Sequence, residues 1–82
     1  MIHYLKTWPK YYVRVFMNDK PFEVRKNDRD YQINDILWLK EFDPDKQEYT
    51  GNECRRRVTY ILHGGDFGIE KGYCVMGLSP EP

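Results

Sequence analysis

Residues 18–25 have the sequence NDKPFEVR and mark the point at which a helix ends and a strand begins. Asn tolerates the left-handed backbone conformation that terminates a helix, so Asn18 is the expected end of the helix. After Pro21, apolar and polar residues alternate with the period of two that is typical of a strand. Glu23 and Arg25 therefore share one face of this strand, about 7 Å apart at roughly 3.4 Å per residue.

The segment before this junction predicts a short strand followed by the helix. The strand spans residues 2–6, Thr7 is the expected N-cap, and Pro9 lies in the first turn, where its missing N–H has no helical partner. Five apolar residues at helical spacing predict a buried stripe, namely Trp8, Tyr11, Tyr12, Val15 and Phe16.

The segment after the junction predicts three more strands. Residues 35–42 are the most apolar run and predict a central strand covered on both faces. Turn residues at 43–45 and 50–52 predict a long hairpin, whose return strand spans 54–62 with Val58, Tyr60 and Leu62 on one face. A glycine-rich loop then runs from 63 to 72, and a last strand spans 73–78.

This order of elements predicts one α+β domain over residues 1–79, followed by a loose tail at 80–82. The expected architecture is a small curled sheet or partly open barrel, with the helix packed at one opening. At 82 residues the chain has room for one core, and its 16% aromatic residues can fill that core with a few large rings.

The composition limits the classes of partner. The 13 basic and 13 acidic residues cancel, so polyanion binding must use a local patch. Two isolated cysteines, the lack of a signal peptide and the lack of a long apolar run predict a cytoplasmic protein without membrane contact. The His and Cys residues lack zinc spacing, so no metal or cofactor is expected, and a monomer is the default.

The junction itself offers a polar clamp. Arg25 supplies a planar fork for phosphate or a base edge, Glu23 can accept from an exocyclic amine, and Lys20 is a point charge for phosphate. The alternative interpretation is that Glu23 and Arg25 form the solvated face of an edge strand. Spacing alone leaves both interpretations open.

Other polar and aromatic residues are weaker candidates for ligand contact. Lys26 and Arg29 follow the strand. The arginines at 55–57 are candidates either for contact with a phosphate backbone or for protection of a sheet edge. Residue 56 lies on the opposite face from its two neighbours, so all three cannot serve one groove. The Gly64-Gly65 pair either presents N–H groups to an anion or forms a tight turn. Tyr31, Phe67 and Trp8 are candidates for base stacking, although helical spacing also suits a core position for Trp8.

A family resemblance extends over nearly the whole chain. Residues 3–9, 22–30, 35–37, 56–62 and 64–68 resemble the uncharacterised DUF3850 family. Lys20-x-x-Glu23-x-Arg25 resembles the G-x-K-x-x-E-x-R signature of ASCH domains in the PUA-like superfamily, with Asn18 in place of Gly. The resemblance implies a pseudo-β-barrel of about five strands with one main helix at its opening, in which the signature residues line a cleft.

The resemblance also implies RNA binding, because ASCH and PUA-like relatives are associated with RNA and some act on modified nucleosides. The related acetylcytidine amidohydrolases carry a Thr nucleophile where this chain has Glu23, so their acyl transfer is not expected here. The leading hypothesis is a module that binds RNA, single-stranded nucleic acid or a modified nucleotide. The expected ligand-binding residues are Lys20, Glu23, Arg25, Lys26, Arg29, Thr7, Trp8, Tyr31, Gly64, Gly65 and Phe67.

Two further hypotheses stay open. One is a small nuclease or modified-nucleoside hydrolase, with Glu23 as general base and Lys20 stabilising negative charge. The other is a protein-interaction module that retains only the fold.

Overall fold

The computed structural model describes residues 1–81, in which one helix and five strands occur. The elements in chain order are β1 (Ile2–Thr7), α1 (Pro9–Phe16), β2 (Phe22–Lys26), β3 (Ile36–Asp43), β4 (Glu48–His63) and β5 (Tyr73–Glu81). The strands form a single curled half-barrel sheet in the order β1-β3-β4-β5-β2. The predicted α+β class and the order of strand, helix and four strands are confirmed.

The sheet has two free edges, β1 and β2, which approach one another through arginine side chains. β1 pairs in parallel with β3, whereas the other neighbouring strands pair antiparallel. Arg29 Nη1 donates to the carbonyl oxygen of Tyr4 at 3.2 Å, and Arg25 Nη2 donates to that of Lys6 at 2.9 Å. These two bonds satisfy carbonyls at the free edge of β1, which no neighbouring strand reaches.

The core lies between the concave face of the sheet and the helix. Leu37, Leu39, Val58 and Met76 are fully buried there, and α1 packs against β3. The predicted five-residue stripe on the helix is wrong in its width, because only Tyr12 and Val15 are buried. An eight-residue helix resting mainly on one strand has too little covering surface to bury the other three rings.

The start of the helix also differs from the prediction. Trp8 is the N-cap and makes no side-chain capping bond, whereas Thr7 is the last residue of β1 and is buried. The Thr7 hydroxyl instead accepts from Arg25 Nη2 at 3.3 Å. Thr7 therefore helps to join β1 to β2 rather than to cap α1.

A bulge in β4 overturns the predicted faces of that strand. The pairing with β5 shifts between Val58 and Tyr60, so one extra residue is inserted at Thr59. The inward positions become Val58 and Ile61, while Tyr60 is 63% exposed. On the facing strand, a Cβ at Gly77 would lie 2.7 Å from the Thr59 Oγ1, which explains a glycine opposite the bulge.

The hairpin and the last strand are longer than predicted. The hairpin turn is short, so β4 begins at Glu48 instead of at residue 54. β5 continues through Pro80 and Glu81, which are in register with Arg56 and Arg55, so these two residues are paired strand rather than loose tail. Pro82 lies outside the described residues.

Arg56 is a buried structural residue and not part of a surface patch. Its Nη2 donates to the carbonyl oxygens of Val15 at 3.2 Å and Phe16 at 3.4 Å, so its guanidinium closes the last turn of α1. Helix ends need such partners because their last carbonyls have no helical donor.

Among residues 1–81, no helix is long and apolar enough to span a membrane.

Candidate functional site

A cavity of about 500 Å³ opens between the start of the helix, the end of β1 and the strand β2. Its volume falls within the range of about 300 to 1,000 Å³ that is usual for small-ligand clefts. Five of the predicted ligand residues line it, together with three that were not predicted. The lining residues are Lys6, Thr7, Trp8, Tyr11, Lys20, Glu23, Val24 and Arg25.

The turn before β2 brings Lys20 to this cavity. Asn18 has a φ of 65°, the left-handed conformation that ends the helix, as predicted. The amides of Asp19 and Lys20 then both donate to the Arg14 carbonyl oxygen at 3.1 Å. The tight reversal leaves the Lys20 side chain directly above the start of the strand.

Glu23 is the most buried charged residue of the site, with 4% of its surface exposed. Lys20 Nζ lies 3.2 Å from its Oε1, and Arg25 Nε lies 2.6 Å from its Oε2. The neighbours Phe22 and Val24 are 42% and 52% exposed. The solvated-face interpretation is therefore wrong for Glu23, because the polar face of β2 turns inward to the cavity and the apolar face turns outward.

Both cations of this network keep donors for a ligand. Lys20 and Arg25 have 19% and 26% of their side-chain surface exposed. Nε and Nη2 make all the hydrogen bonds that the Arg25 guanidinium forms within residues 1–81. The Nη1 group therefore has no partner in that part of the chain. Lys20 Nζ uses two of its three hydrogens, on Glu23 and on the Phe22 carbonyl oxygen.

Aromatic rings form one wall of the cavity. Trp8 and Tyr11 are 50% and 45% exposed, and their ring centroids lie 6.5 Å apart at an interplanar angle of 19°. Lys20 Nζ lies 5.7 Å from the Tyr11 ring centroid, which places positive charge beside the wall. With Lys6 included, the cations of the lining outnumber its one carboxylate by two.

This geometry suits the binding of an anionic group beside a flat ring better than proton transfer. A general base must come within hydrogen-bond reach of the proton that it removes, so its carboxylate needs open access to the substrate. Each Glu23 oxygen already accepts from a cation, and 5% of the side chain is exposed. The carboxylate therefore holds Lys20 and Arg25 in place, and it is these two cations that face the open space.

Four of the predicted side chains do not line this cavity. Lys26 is exposed at the end of β2, and Arg29 bonds to the β1 edge. Tyr31 is a core residue with 2% of its surface exposed, in an edge-to-face contact with His3 at 4.7 Å. The prediction of Tyr31 as a stacking surface is therefore wrong, whereas Phe67 is 86% exposed on a loop outside the cavity lining.

The glycine pair is used inside its own loop. The amide of Gly64 donates to the Tyr73 carbonyl oxygen at 2.7 Å, and that of Gly65 donates to the Ile69 carbonyl oxygen at 2.8 Å. A Cβ on Gly64 would collide with the Glu70 carbonyl oxygen. These contacts support the tight-turn interpretation, because the two N–H groups are not directed at a ligand.

Three lining residues were missed, for different reasons. Tyr11 was predicted to lie in the core, but the buried stripe of α1 is narrower than the apolar pattern of the sequence indicates. Val24 lies on the apolar face of β2, opposite to Glu23 and Arg25, and it borders the cavity from that outward face. Lys6 lies one residue before the end of β1, and only the approach of β2 to that end brings it into the site.

Titratable groups also occur in the core, outside the cavity lining. His3 Nε2 lies 2.8 Å from Asp35 Oδ2. Burial by itself would raise the pKa of Asp35, but hydrogen bonds from His3, the Gln32 amide and the N-terminal ammonium lower it. Burial also raises the pKa of Tyr12 to about 12.

No group of three or more His, Cys, Asp or Glu side chains in residues 1–81 is arranged to hold a metal ion.

The chain matches the model of a known protein family. The model of the family DUF3850, described as a domain of unknown function, matches residues 2–78. The matched range includes every residue that lines the cavity and all strands except the end of β5. No curated protein matches the chain.

Proposed function

Because the chain belongs to the DUF3850 family, which has no known function, we propose from its own geometry that it binds single-stranded RNA and holds one nucleotide in the cavity. The observation that carries this proposal is the pairing of Lys20 and Arg25 with the buried Glu23, next to the exposed rings of Trp8 and Tyr11. This arrangement offers charge and a flat apolar surface on the same opening.

The two cations bind the phosphate. Arg presents planar donors that match phosphate oxygens, and Lys adds a compact charge. Arg25 Nη1 keeps its donors for this purpose, and Lys20 keeps one N–H. Since Glu23 fixes both side chains before the ligand arrives, little side-chain entropy remains to be lost on binding.

The aromatic wall binds the base. Stacking of a base on an aromatic side chain contributes about 1 to 3 kcal/mol and tolerates any base. Trp8 and Tyr11 are half exposed and nearly parallel, so one of them can stack on a base without rearrangement of the core. Stacking of this kind is the usual way in which proteins hold unpaired RNA bases.

The same geometry supports a finer placement of the fold. The cleft between α1 and β2 contains Lys20, Glu23 and Arg25 in the spacing of the ASCH signature, and Asn18 has the left-handed backbone of the signature glycine. The curled five-stranded sheet with one helix is the architecture expected of a PUA-like domain. We therefore place the chain, as part of this proposal, among ASCH-like members of the PUA-like superfamily.

A retention experiment tests the proposal. The purified protein should carry nucleic acid, detected as a raised ratio of absorbance at 260 to 280 nm, and should bind a single-stranded RNA panel. Lys20→Met and Arg25→Gln should each lose most of this binding, whereas the exposed Lys71→Ala on the β4–β5 loop should retain it. Equal binding by all four proteins, or retention of a protein partner without nucleic acid, would contradict the proposal.

A further inference from the structure

A second aromatic and basic surface lies on the outer, convex face of β1, β3 and β4. The strand register aligns Tyr4 with Trp38 and Trp38 with Arg55 in one row across the three strands. It aligns Lys6 with Lys40 in the next row. These five residues, the outer platform, alternate with the buried core residues of the same strands and therefore face away from the helix.

The row formed by Tyr4, Trp38 and Arg55 is a prearranged stack. The Tyr4 and Trp38 rings lie 5.3 Å apart at an angle of 31°, and the Arg55 guanidinium carbon lies 5.2 Å from the Trp38 ring centroid. Trp38 Nε1 donates to Glu53 Oε1 at 3.0 Å, which fixes the orientation of the indole. Tyr4 is 55% exposed, so its ring is open to a further stacking partner.

Positive charge and aromatic rings also alternate along the edge of the platform. Lys6 Nζ lies 4.4 Å from the Phe42 ring centroid, and Lys40 Nζ lies 4.8 Å from that of Tyr49, which is 49% exposed. The three cations of the platform and the adjacent Arg57 outnumber the two carboxylates beside them, Glu53 and Glu81, by two, although the whole chain has a net charge of zero. This face therefore attracts a polyanion when the molecule as a whole does not.

Lys6 belongs both to the outer platform and to the cavity lining. Tyr4 lies two residues before it on β1, a distance of roughly 7 Å along the strand. The cavity and the platform thus form one continuous surface around the end of β1. Its composition of basic residues interspersed with aromatic rings matches that of single-strand grooves, and exposed sheet aromatics stack bases in known RNA-binding sheets.

We infer that a single RNA strand leaves the cavity at Lys6 and continues across the outer platform, where Tyr4 and Trp38 stack a second base. The inference rests on the proposed function and specifies its ligand as a polynucleotide rather than a free nucleotide. A protein partner is the competing occupant, but the excess of cations around open aromatic rings favours a nucleic acid.

The two tryptophans of the chain report on the two surfaces separately, since Trp8 lines the cavity and Trp38 lies on the platform. Trp8→Phe leaves Trp38 as the single tryptophan and keeps a ring in the cavity, and Trp38→Phe does the reverse. Each variant is titrated with uridine monophosphate and with an oligouridine of about 10 nucleotides, a length within the site sizes of single-strand-binding domains. The oligonucleotide should quench both tryptophans, and the monophosphate should quench only Trp8.

The affinity of Tyr4 variants for the oligonucleotide provides a second test of the platform. Tyr4→Ala should weaken binding of the oligonucleotide roughly 5- to 150-fold, the equivalent of one lost base stack, and leave binding of the monophosphate unchanged. Tyr4→Phe should restore it. Tyr60→Ala, which removes an exposed ring outside both surfaces, is the control and should bind as the wild type does.

The outcomes separate the two proposals. Quenching of Trp8 alone by the oligonucleotide, with wild-type affinity of Tyr4→Ala, would overturn the platform and leave the cavity standing. A protein partner that is lost with Tyr4→Ala, without any response of Trp38 to RNA, would also overturn it. If neither tryptophan responds to either probe, the proposed function itself fails.

Discussion

The Nε of Arg25 donates to Oε2 of Glu23 across 2.6 Å, although a single residue separates the two along β2. A strand normally sends such a pair to the same face, and here that face is turned inward, so Glu23 is 4% exposed. Lys20 completes the network from the preceding turn. The carboxylate is therefore best understood as the residue that positions two cations, and this role has measurable consequences.

Loss of the central charge should destabilise the domain and loosen the site. Glu23→Gln keeps the shape of the side chain but removes the partner of two partly buried cations, so we expect the free energy of unfolding to fall by about 2 kcal/mol. RNA affinity should fall as well, despite the added net positive charge. Denaturant unfolding measures the first effect. The exposed pair Arg14–Asp19 provides the control, because Asp19→Asn should cost less than about 1 kcal/mol; equal losses would contradict the assigned role.

Arg56 should contribute to stability through the helix end. Arg56→Met keeps most of the aliphatic stem but removes the side-chain donor to the Val15 and Phe16 carbonyls, of which Val15 keeps the Asn18 amide, and we expect a loss of about 2 kcal/mol in the free energy of unfolding. Arg57→Met on the same strand is the control, because Arg57 faces outward and its contacts are exposed: Nη1 donates to Asn34 Oδ1 at 3.1 Å, and Nε makes a long ion pair with Glu81 at 3.9 Å. Similar losses for the two variants would show that the capping contact is unimportant.

The glycine-rich loop should behave as a structural turn. Gly64→Ala places a Cβ against the Glu70 backbone, so we expect a loss of about 2 kcal/mol or more. Gly51→Ala is a useful comparison, since Gly51 has a φ of +96° but open space around it and should cost only about 1 kcal/mol. Thermal unfolding of both variants decides the matter. A Gly64→Ala protein of wild-type stability that has lost RNA binding would assign the loop to the ligand instead.

Asp35 should make stability depend on acid pH. Its folded-state pKa is lowered, so the stabilisation that it provides is fully present above the unfolded value near 3.8 and is lost as the pH falls through the folded value. Asp35→Asn should therefore be less stable than the wild type at neutral pH, and the difference should shrink below about pH 4. Urea unfolding from pH 7 to pH 2.5 provides the curves. Two parallel curves would contradict the lowered pKa.

Much of the site could be predicted because its main residues are close in the sequence. The helix end at Asn18 and the alternation after Pro21 bring Lys20, Glu23 and Arg25 together whatever the rest of the fold does. Alternation alone, however, defines two faces without specifying which of them is covered. The inward turn of Glu23 depends on the pairing of β2 with β5, which is about 50 residues away in the sequence and places β2 at the far edge of the curled sheet.

The features that were missed depend on register and long-range contact. Thr59 is an ordinary residue in an alternating strand, and only pairing with β5 shows that a bulge there reverses the faces that follow. Arg56 reaches carbonyls 40 and 41 residues away in the sequence. The alignment of Tyr4, Trp38 and Arg55 likewise requires the register of three strands, which no local pattern specifies.

The central claim, that Lys20 and Arg25 bind phosphate in the cavity, is tested most directly by the salt dependence of RNA binding. The affinity of a single-stranded oligouridine is measured at several salt concentrations for the wild type, Lys20→Met, Arg25→Gln and the control Lys71→Ala. We expect the slope of log affinity against log salt to become shallower by about 0.7 for each of the first two variants and to stay unchanged for the control. Identical slopes and affinities for all four proteins would contradict the account.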